Sequence, residues 1–143
     1  DSRKLAPAGW HIPTDEEWKT MEKTIGMSES QANQLAWRGT NEAELLLNKN
    51  GEGWQTGTVP FGIDTYDFSV LPEGCRLFSG EITSGFTAFF WTATSTANGH
   101  AYYRYFDSQK KNICILNNIS LYKICTRELY FIWYGVKLKI IIT

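Results

Sequence analysis

The residue types best suited to contacting a ligand are concentrated in one stretch, residues 90–107. Tyrosine, tryptophan and arginine combine apolar area with hydrogen-bonding groups, and they dominate the binding energy at many interfaces. The candidate ligand-binding residues are Trp91, Asn98, His100, Tyr102, Arg104 and Tyr105. In a sugar site the aromatic rings would stack on sugar faces, while Asn98, His100 and Arg104 would supply polar contacts.

The same stretch is predicted to form a β-hairpin. Asn98-Gly99 lies between two runs of aromatic and β-branched residues, and both of its residues tolerate positive φ. Alternation along the second strand places Tyr103 and Tyr105 on one face and Tyr102 and Arg104 on the other. The two sets cannot face the same ligand, so some of the candidates must belong to the core. The alternation does not decide which.

Metal ligation is a weaker alternative. Asp64 and Asp67 could supply oxygen ligands, but two carboxylates fall short of the six to eight oxygens that calcium takes. A zinc site built from His100 and the cysteines lacks the short paired spacings of such sites. The cysteines are Cys75, Cys114 and Cys125. We therefore predict no cofactor and no metal site, with calcium as the remaining possibility.

The sequence also argues against catalysis. Cys114 lies between two isoleucines, an apolar setting that raises a thiol pKa and suppresses its reactivity. The chain contains no nucleophile elbow, phosphate-binding loop or Ser-His-Asp order. An odd number of cysteines does not identify the redox compartment.

Composition excludes several other classes. The chain has 143 residues, the size of one domain, with 43% hydrophobic and 15% aromatic residues, enough for a sizeable core. Its 14 basic and 15 acidic side chains are balanced, which excludes the basic surface of a nucleic-acid-binding protein. The apolar run 129–143 is too short to span a membrane and contains two lysines.

Three short helices are predicted in the first half of the chain. Thr14 and Glu17 form a capping box, and Trp18, Met21 and Ile25 follow at helical spacing. Ser28 repeats the capping pattern for a second helix whose inward residues are Ala32, Leu35 and Ala36, and Thr40 is predicted to cap a third. Trp54 is expected to pin the loop that follows. Short strands are predicted at 68–71, 75–78 and 86–92.

Four segments of the chain contain recognisable motifs: Gly9–Trp18, Phe68–Arg76, Phe90–Thr94 with Ala101–Tyr105, and Leu121–Glu128. In this order they resemble the motifs of the Fibrobacter succinogenes major paralogous domain. The resemblance implies an α+β, C-type-lectin-like fold, with two or three short helices packed on short antiparallel strands and long loops. It also implies a secreted or surface-anchored protein of Bacteroidetes or related bacteria, often a lipoprotein.

Residues 1–128 are accordingly predicted to form a single C-type-lectin-like domain. Residues 129–143 continue beyond the usual end of the family and are predicted to add a strand or to form an oligomer contact. Relatives of this fold in diversity-generating retroelements vary the surface of their last third. By that analogy, the binding face is expected around residues 91–118.

The predicted function is that of a non-enzymatic, extracellular ligand-binding module of a bacterial surface or secreted protein. The ligand would be a glycan or a protein, and the binding face could be diversified. A structural or adhesin domain without a small ligand is the first alternative. An enzyme of the formylglycine-generating type, which shares the fold, is the second.

Overall fold

Short helices precede short antiparallel strands in the computed structural model of this protein. The structure describes residues 6, 11–55, 62–72, 75–76, 82–83, 85–117, 128–133 and 136–141; for 75–76, 82–83, 128–133 and 136–141 it describes the backbone only. The helices are α1 Asp15–Thr24, α2 Glu29–Ala32 and α3 Glu42–Leu46. The strands are β1 Ala36–Arg38, β2 Cys75–Arg76, β3 Ile82–Thr83, β4 Thr87–Ser95, β5 Ala101–Asp107, β6 Ile113–Leu116, β7 Glu128–Trp133 and β8 Val136–Ile141.

Helix α1 confirms the predicted capping box. The Thr14 hydroxyl accepts from the Glu17 backbone N–H at 3.2 Å, and the Glu17 carboxylate accepts from the Thr14 N–H at 2.8 Å. Trp18 and Ile25 are buried, as expected from their spacing. The start of the helix is held against β4, because the Asp15 N–H donates to the Thr94 hydroxyl at 2.9 Å.

The second helix is shorter than its pattern suggested. Ser28 caps it in a capping box with Gln31, but the helix ends at Ala32. Leu35 is 55% exposed, and Ala36 begins strand β1, so the prediction that both face inward from a helix is wrong. The helix cannot continue, because Ala36 adopts a φ of 63° and Trp37 and Arg38 pair with β6.

Helix α3 forms where it was predicted but is capped differently. Its N-cap is Asn41, without a side-chain cap hydrogen bond, and the predicted Thr40 cap is wrong. The Thr40 N–H donates to the Glu42 carboxylate at 2.6 Å. The Lys111 carbonyl accepts from the Ala43 N–H at 2.9 Å, so a distant loop satisfies an amide that a cap would otherwise bind.

The four-stranded sheet has the order β1-β6-β5-β4 and is antiparallel throughout. Strands β4 and β5 form the predicted hairpin. Its loop differs from a two-residue turn: the Thr96 N–H donates to the His100 carbonyl, and Gly99 alone in the loop has a positive φ, 76°. This arrangement suits a three-residue loop with glycine in the left-handed region.

The segment between the helices and the sheet is held mainly by loop contacts. Trp54 is buried and its indole N–H donates to the Val70 carbonyl at 3.1 Å, which confirms the expected pin. The predicted strand at 68–71 is wrong, because Val70 forms an isolated bridge to Leu47. Ser69, at a φ of 49°, leaves extended geometry just before that bridge.

Among the residues that the structure describes, two further sheets have two strands each and are not hydrogen-bonded to the four-stranded sheet as strand neighbours. Strands β2 and β3 form one, and β7 and β8 form the other. Residues 136–140, in which apolar residues alternate with Lys137 and Lys139, lie within β8, and β7 begins at Glu128. Of the segment 121–128, which resembles a family motif, only Glu128 lies within the described residues. An oligomer contact through residues 129–143 stays a prediction.

The main core lies between the helices and one face of the four-stranded sheet. Trp18 from α1 packs against Phe90 with ring centroids 5.6 Å apart, and Phe90 meets Phe106 edge-on at 5.5 Å. The fold is therefore α+β, with few short helices and a four-stranded antiparallel sheet. Within the described part of the chain, no helix has the length and apolarity needed to cross a membrane.

Candidate functional site

Strand alternation divides the four-stranded sheet into two faces with different chemistry. We call the face toward α1 the inner face and the opposite one the outer face. Arg104 and Phe106 lie on the inner face, while Tyr103 and Tyr105 lie on the outer face, as the alternation predicted.

The inner face carries a buried ion-pair network centred on Arg104. The Arg104 side chain is fully buried, and its Nε donates to Glu22 Oε1 at 2.8 Å. Its Nη1 donates to Asp15 Oδ1 at 2.5 Å, and its Nη2 reaches both the Asp15 carbonyl and Glu22 Oε2 at 3.3 Å. Arg104 thus ties strand β5 to two turns of α1.

A second arginine completes the network. Arg38 in β1 is 2% exposed, and its Nη2 donates to both Glu22 oxygens at 2.9 and 2.8 Å. Its Nη1 contacts Met27 Sδ at 3.2 Å. Two arginines therefore meet two carboxylates, Asp15 and Glu22, and the formal charges cancel. Such balance is what allows charges to be buried without a large penalty.

The electrostatics of Asp15 follow from this arrangement. Burial by itself raises the pKa of the Asp15 carboxyl, but the hydrogen bond and charge of Arg104, with help from Lys19, outweigh burial and lower the pKa below its usual value. Lys19 Nζ lies 3.0 Å from the second Asp15 oxygen. Asp15 is therefore held ionised inside the fold.

The placement of Arg104 corrects one prediction. We expected this residue to offer a polar contact to a ligand, but its side chain is completely buried and its guanidinium is saturated by Asp15 and Glu22. Alternation forces this outcome, because Tyr103 and Tyr105 occupy the outer face. Arg104 is therefore a structural residue, not a ligand contact.

The outer face carries a continuous series of aromatic rings from β4, β5 and β1, which extends across the whole four-stranded sheet. Adjacent ring centroids lie 5.3 Å apart for Trp91 and Tyr103, 6.1 Å for Tyr103 and Phe89, 4.9 Å for Phe89 and Tyr105, and 5.3 Å for Tyr105 and Trp37. Cross-strand aromatic pairs of this kind stabilise a sheet and hold each ring in place.

One end of this series reaches solvent. Tyr103 and Phe89 are buried, whereas Trp37 on the edge strand β1 is 37% exposed. Lys110 Nζ lies 5.9 Å from the Trp37 ring centroid, and the Tyr105 hydroxyl donates to Asp107 Oδ2 at 2.7 Å. We call Trp37, Tyr105, Asp107 and Lys110 together the Trp37 platform. It combines flat apolar rings with charged and hydroxyl groups, the mixture that a polar ligand with an apolar face requires.

The family assignment rests on a match over most of the chain. The family model described as Fibrobacter succinogenes major domain matches residues 1–130. The chain belongs to this family. No curated protein and no solved structure matches the chain significantly.

Two of the segments that resemble this family's motifs meet inside the protein. Asp15 comes from the first segment, Gly9–Trp18, and Arg104 comes from the third, Ala101–Tyr105. Their side chains form the buried ion pair described above. In this member of the Fibrobacter succinogenes major domain family, these residues therefore hold α1 on the sheet.

The other predicted site residues divide between the outer face and the hairpin loop. Trp91 and Tyr105 lie on the outer face, half-buried, in the aromatic series. Asn98 is exposed in the loop, and His100 Nδ1 donates to the Asn117 carbonyl at 3.2 Å. Tyr102 is half-buried and shares its face with Arg104. The structure therefore does not bring the six candidates to one surface.

The Asp64 loop does not assemble a metal site. The Asp64 carboxylate accepts from the Ser69 N–H at 2.7 Å and from the Ser69 hydroxyl, so its oxygens stabilise the loop itself. Among the described residues, no group of three or more His, Cys, Asp or Glu side chains is placed to hold a metal ion. The geometry at Asp64 and Asp67 thus gives calcium no support.

Cys114 lies on the outer face between the rows of rings and is 2% exposed. Burial raises the pKa of its thiol to about 11, and the nearby Arg38 charge opposes this only in part. A thiol with such a pKa is almost entirely protonated at neutral pH and is a poor nucleophile.

Sequence reasoning missed Trp37, the most exposed ring of the outer face. The sequence assigns Leu35 and Ala36 to the second helix and assigns Trp37 and Arg38 to no element, so the strand alternation of this segment is not recognised. The available signal was local: an aromatic residue beside an arginine, as in Arg104-Tyr105 of the predicted hairpin. In both pairs the aromatic residue lies on the outer face and the neighbouring arginine on the inner face.

Proposed function

We propose that this protein is a non-enzymatic glycan-binding module of a bacterial surface or secreted protein, and that it binds through the Trp37 platform. The observation that carries the proposal is the exposed Trp37 ring, which lies 5.3 Å from Tyr105 at the open end of the aromatic series. An exposed, laterally supported ring is a suitable surface for the apolar face of a sugar.

The platform is supported by a rigid scaffold. Trp37 is next to Arg38, whose buried pairing with Glu22 fixes β1 against α1. Tyr105 is next to Arg104, which is fixed in the same way. Binding surfaces that are ordered before the ligand arrives lose less conformational entropy on binding. The buried ion pairs of the inner face thus hold Trp37 and Tyr105 in place before a ligand binds.

The polar groups beside the rings supply directional contacts. The Tyr105 hydroxyl is committed to Asp107, and the exposed Lys110 carries three N–H donors. Sugar hydroxyls both donate and accept, so a carboxylate and an ammonium at the border of a stacked ring can each bind one. Such a ring with a polar border is a binding arrangement that requires no metal.

The finer fold and cellular assignments belong to the same proposal. A C-type-lectin-like architecture is supported by the packing of α1 on an antiparallel sheet and by the family membership. An extracellular or surface location is what the family resemblance implies. The absence of catalysis is supported by Cys114, since a buried thiol with a pKa of about 11 gives the enzyme alternative no reactive cysteine at that position.

The proposal is tested by a glycan array followed by titration calorimetry on the purified protein, with and without a calcium chelator. We expect chelator-resistant binding that Trp37→Ala abolishes. The matched control is Tyr66→Ala, which removes another large aromatic ring, 48% exposed, from a loop outside the platform. Circular dichroism and urea unfolding show whether each variant remains folded.

Three outcomes would contradict the proposal. Glycan binding that survives Trp37→Ala moves the site away from the platform, and binding lost on chelation indicates a metal site. If no glycan is retained, the structural or adhesin role becomes the better explanation. That alternative has its own readout, because it predicts that removing residues 129–143 changes the oligomeric mass.

A further inference from the structure

We propose that the Trp37 platform selects acidic sugars, with the pyranose ring stacked on Trp37 and its carboxylate paired with Lys110. This inference rests on the proposed glycan-binding function and narrows it to a ligand class. Its basis is the charge pattern around Trp37.

The ammonium of Lys110 is held close to the Trp37 ring by a tight turn after β5. The Lys110 N–H donates to the Asp107 carbonyl at 3.0 Å, and the Gln109 N–H donates to Asp107 Oδ1 at 2.8 Å. Lys110 Nζ lies 5.9 Å from the ring centroid, at the outer limit of a cation–π contact. The turn therefore places a cation where a ligand on Trp37 would meet it.

Lys110 is unusual among the described cations. Most of the lysines and arginines with described side chains have a carboxylate within 4 Å, namely Lys19, Lys23, Arg38, Arg104 and Lys111. Within the described residues, Lys110 and Lys49 form no such pair, and of these two only Lys110 lies over an aromatic ring.

The nearby carboxylates are already engaged. Asp107 accepts from the Tyr105 hydroxyl with one oxygen and from the Gln109 N–H with the other. Glu44 pairs with Lys111 at 2.9 Å. Lys110 is thus a positive charge beside an exposed ring, and its neighbours do not neutralise it by direct pairing.

Stacking on Trp37 changes the surroundings of this ammonium. A sugar that covers the ring displaces the ammonium from above it and removes the weak cation–π contact. A neutral sugar replaces that contact only with hydroxyl hydrogen bonds. A sugar that carries a carboxylate replaces it with a charge-assisted hydrogen bond, which is about twice as strong as a neutral one. The platform should therefore prefer the charged ligand.

The test compares ligands that differ only in charge. Oligomers of galacturonate, glucuronate and mannuronate are titrated into the protein at low salt, alongside the methyl esters of the same oligomers. We expect at least one acid to bind about tenfold more tightly than its ester, and the preference to weaken as salt is added. Lys110→Gln should remove the preference, while Lys49→Gln, which removes the other unpaired lysine, should leave it unchanged.

The possible outcomes distinguish failure of this inference from failure of the proposed glycan-binding function. If acid and ester bind equally and Trp37→Ala abolishes both, the platform binds glycans but acid selectivity is wrong. An acid preference that persists in Lys110→Gln also overturns the inference. If no oligomer binds, the inference fails and the glycan array alone decides the proposed site. If binding survives Trp37→Ala, both the inference and the proposed site fail. Acid binding that requires both residues supports both.

Discussion

The two faces of the four-stranded sheet are built from neighbouring residues but hold opposite chemistry. On the inner face, Arg38 and Arg104 lie buried against carboxylates of α1. On the outer face, Trp37 and Tyr105, their immediate chain neighbours, form the aromatic series. In this sheet two arginines are buried and Trp37 is 37% exposed, which is the reverse of the ordinary preference of these residue types.

The difference shows what each face depends on. The inner face depends on complete pairing, because a buried charge is tolerated only while its partner is present. The outer face depends on ring contacts that can each be weakened separately. We therefore expect single changes on the inner face to act on the whole fold, whereas changes at the open end of the outer face should act locally.

The largest expected effect comes from Glu22→Gln. Both Glu22 oxygens accept from both arginines, so the amide would place a donor against guanidinium donors and leave an excess buried positive charge. Breaking a buried ion pair on one side costs about 3 to 5 kcal/mol. Urea unfolding should show a loss of this size, a large fraction of the roughly 5 to 15 kcal/mol that stabilises a native protein.

The matched control for that variant is Glu16→Gln. Glu16 lies on the same helix with a 77% exposed side chain, and its ion-pair partner among the described residues is Lys19. Its change should fall within about 0.5 kcal/mol. Equal effects of the two variants would mean that burial of the network has no special energetic weight, and the contrast between the two faces would lose its basis.

The comparison also explains which features the sequence could predict. The α1 capping box, the β4–β5 hairpin and the alternation of Tyr103 and Arg104 are local patterns, and all three are confirmed. The partner of Arg104 was not predictable in this way. Asp15 lies 89 positions away, and only the tertiary fold brings the two side chains together.

The sequence does not predict Trp37 as a site residue for a similar reason, because its position also depends on contacts between distant segments. Residues 35–38 contain too few positions to show a strand period, and their pairing with β6 joins segments more than 70 residues apart. Leu35 and Ala36 are therefore assigned to the preceding helix, and Trp37 and Arg38 to no element. The outer face becomes recognisable only when the sheet order β1-β6-β5-β4 is known.

A smaller effect on the inner face is expected from Asp15→Asn. The amide keeps a hydrogen bond to Arg104 but loses the charge, which should cost about 2 kcal/mol at neutral pH. Because the folded-state pKa of Asp15 lies below the unfolded-state value, its contribution is complete above about pH 4 and is lost as the pH falls through the folded-state pKa. The difference between variant and wild type should therefore shrink toward low pH.

Urea unfolding at a series of pH values from neutral to acidic checks this sign. The control is Glu29→Gln, an exposed carboxylate paired with Lys23, whose replacement should leave the stability curve nearly unchanged. A stability difference for Asp15→Asn that grows as the pH falls would reverse the expected linkage. It would mean that the carboxyl is held protonated in the folded protein.

The smallest expected effect lies on the outer face, at Tyr105→Phe. The ring and its stacking on Phe89 remain, and the hydrogen bond to Asp107 is lost, which costs about 1 kcal/mol at a half-buried site. Tyr66→Phe, at an exposed loop tyrosine, should change stability by less. Because the Asp107 carboxylate loses a donor that screens its negative charge, Tyr105→Phe should also weaken binding of an acidic sugar more than binding of its ester. If Tyr105→Phe weakens binding of the acid and of the ester equally, Asp107 does not contribute to the preference for the charged ligand.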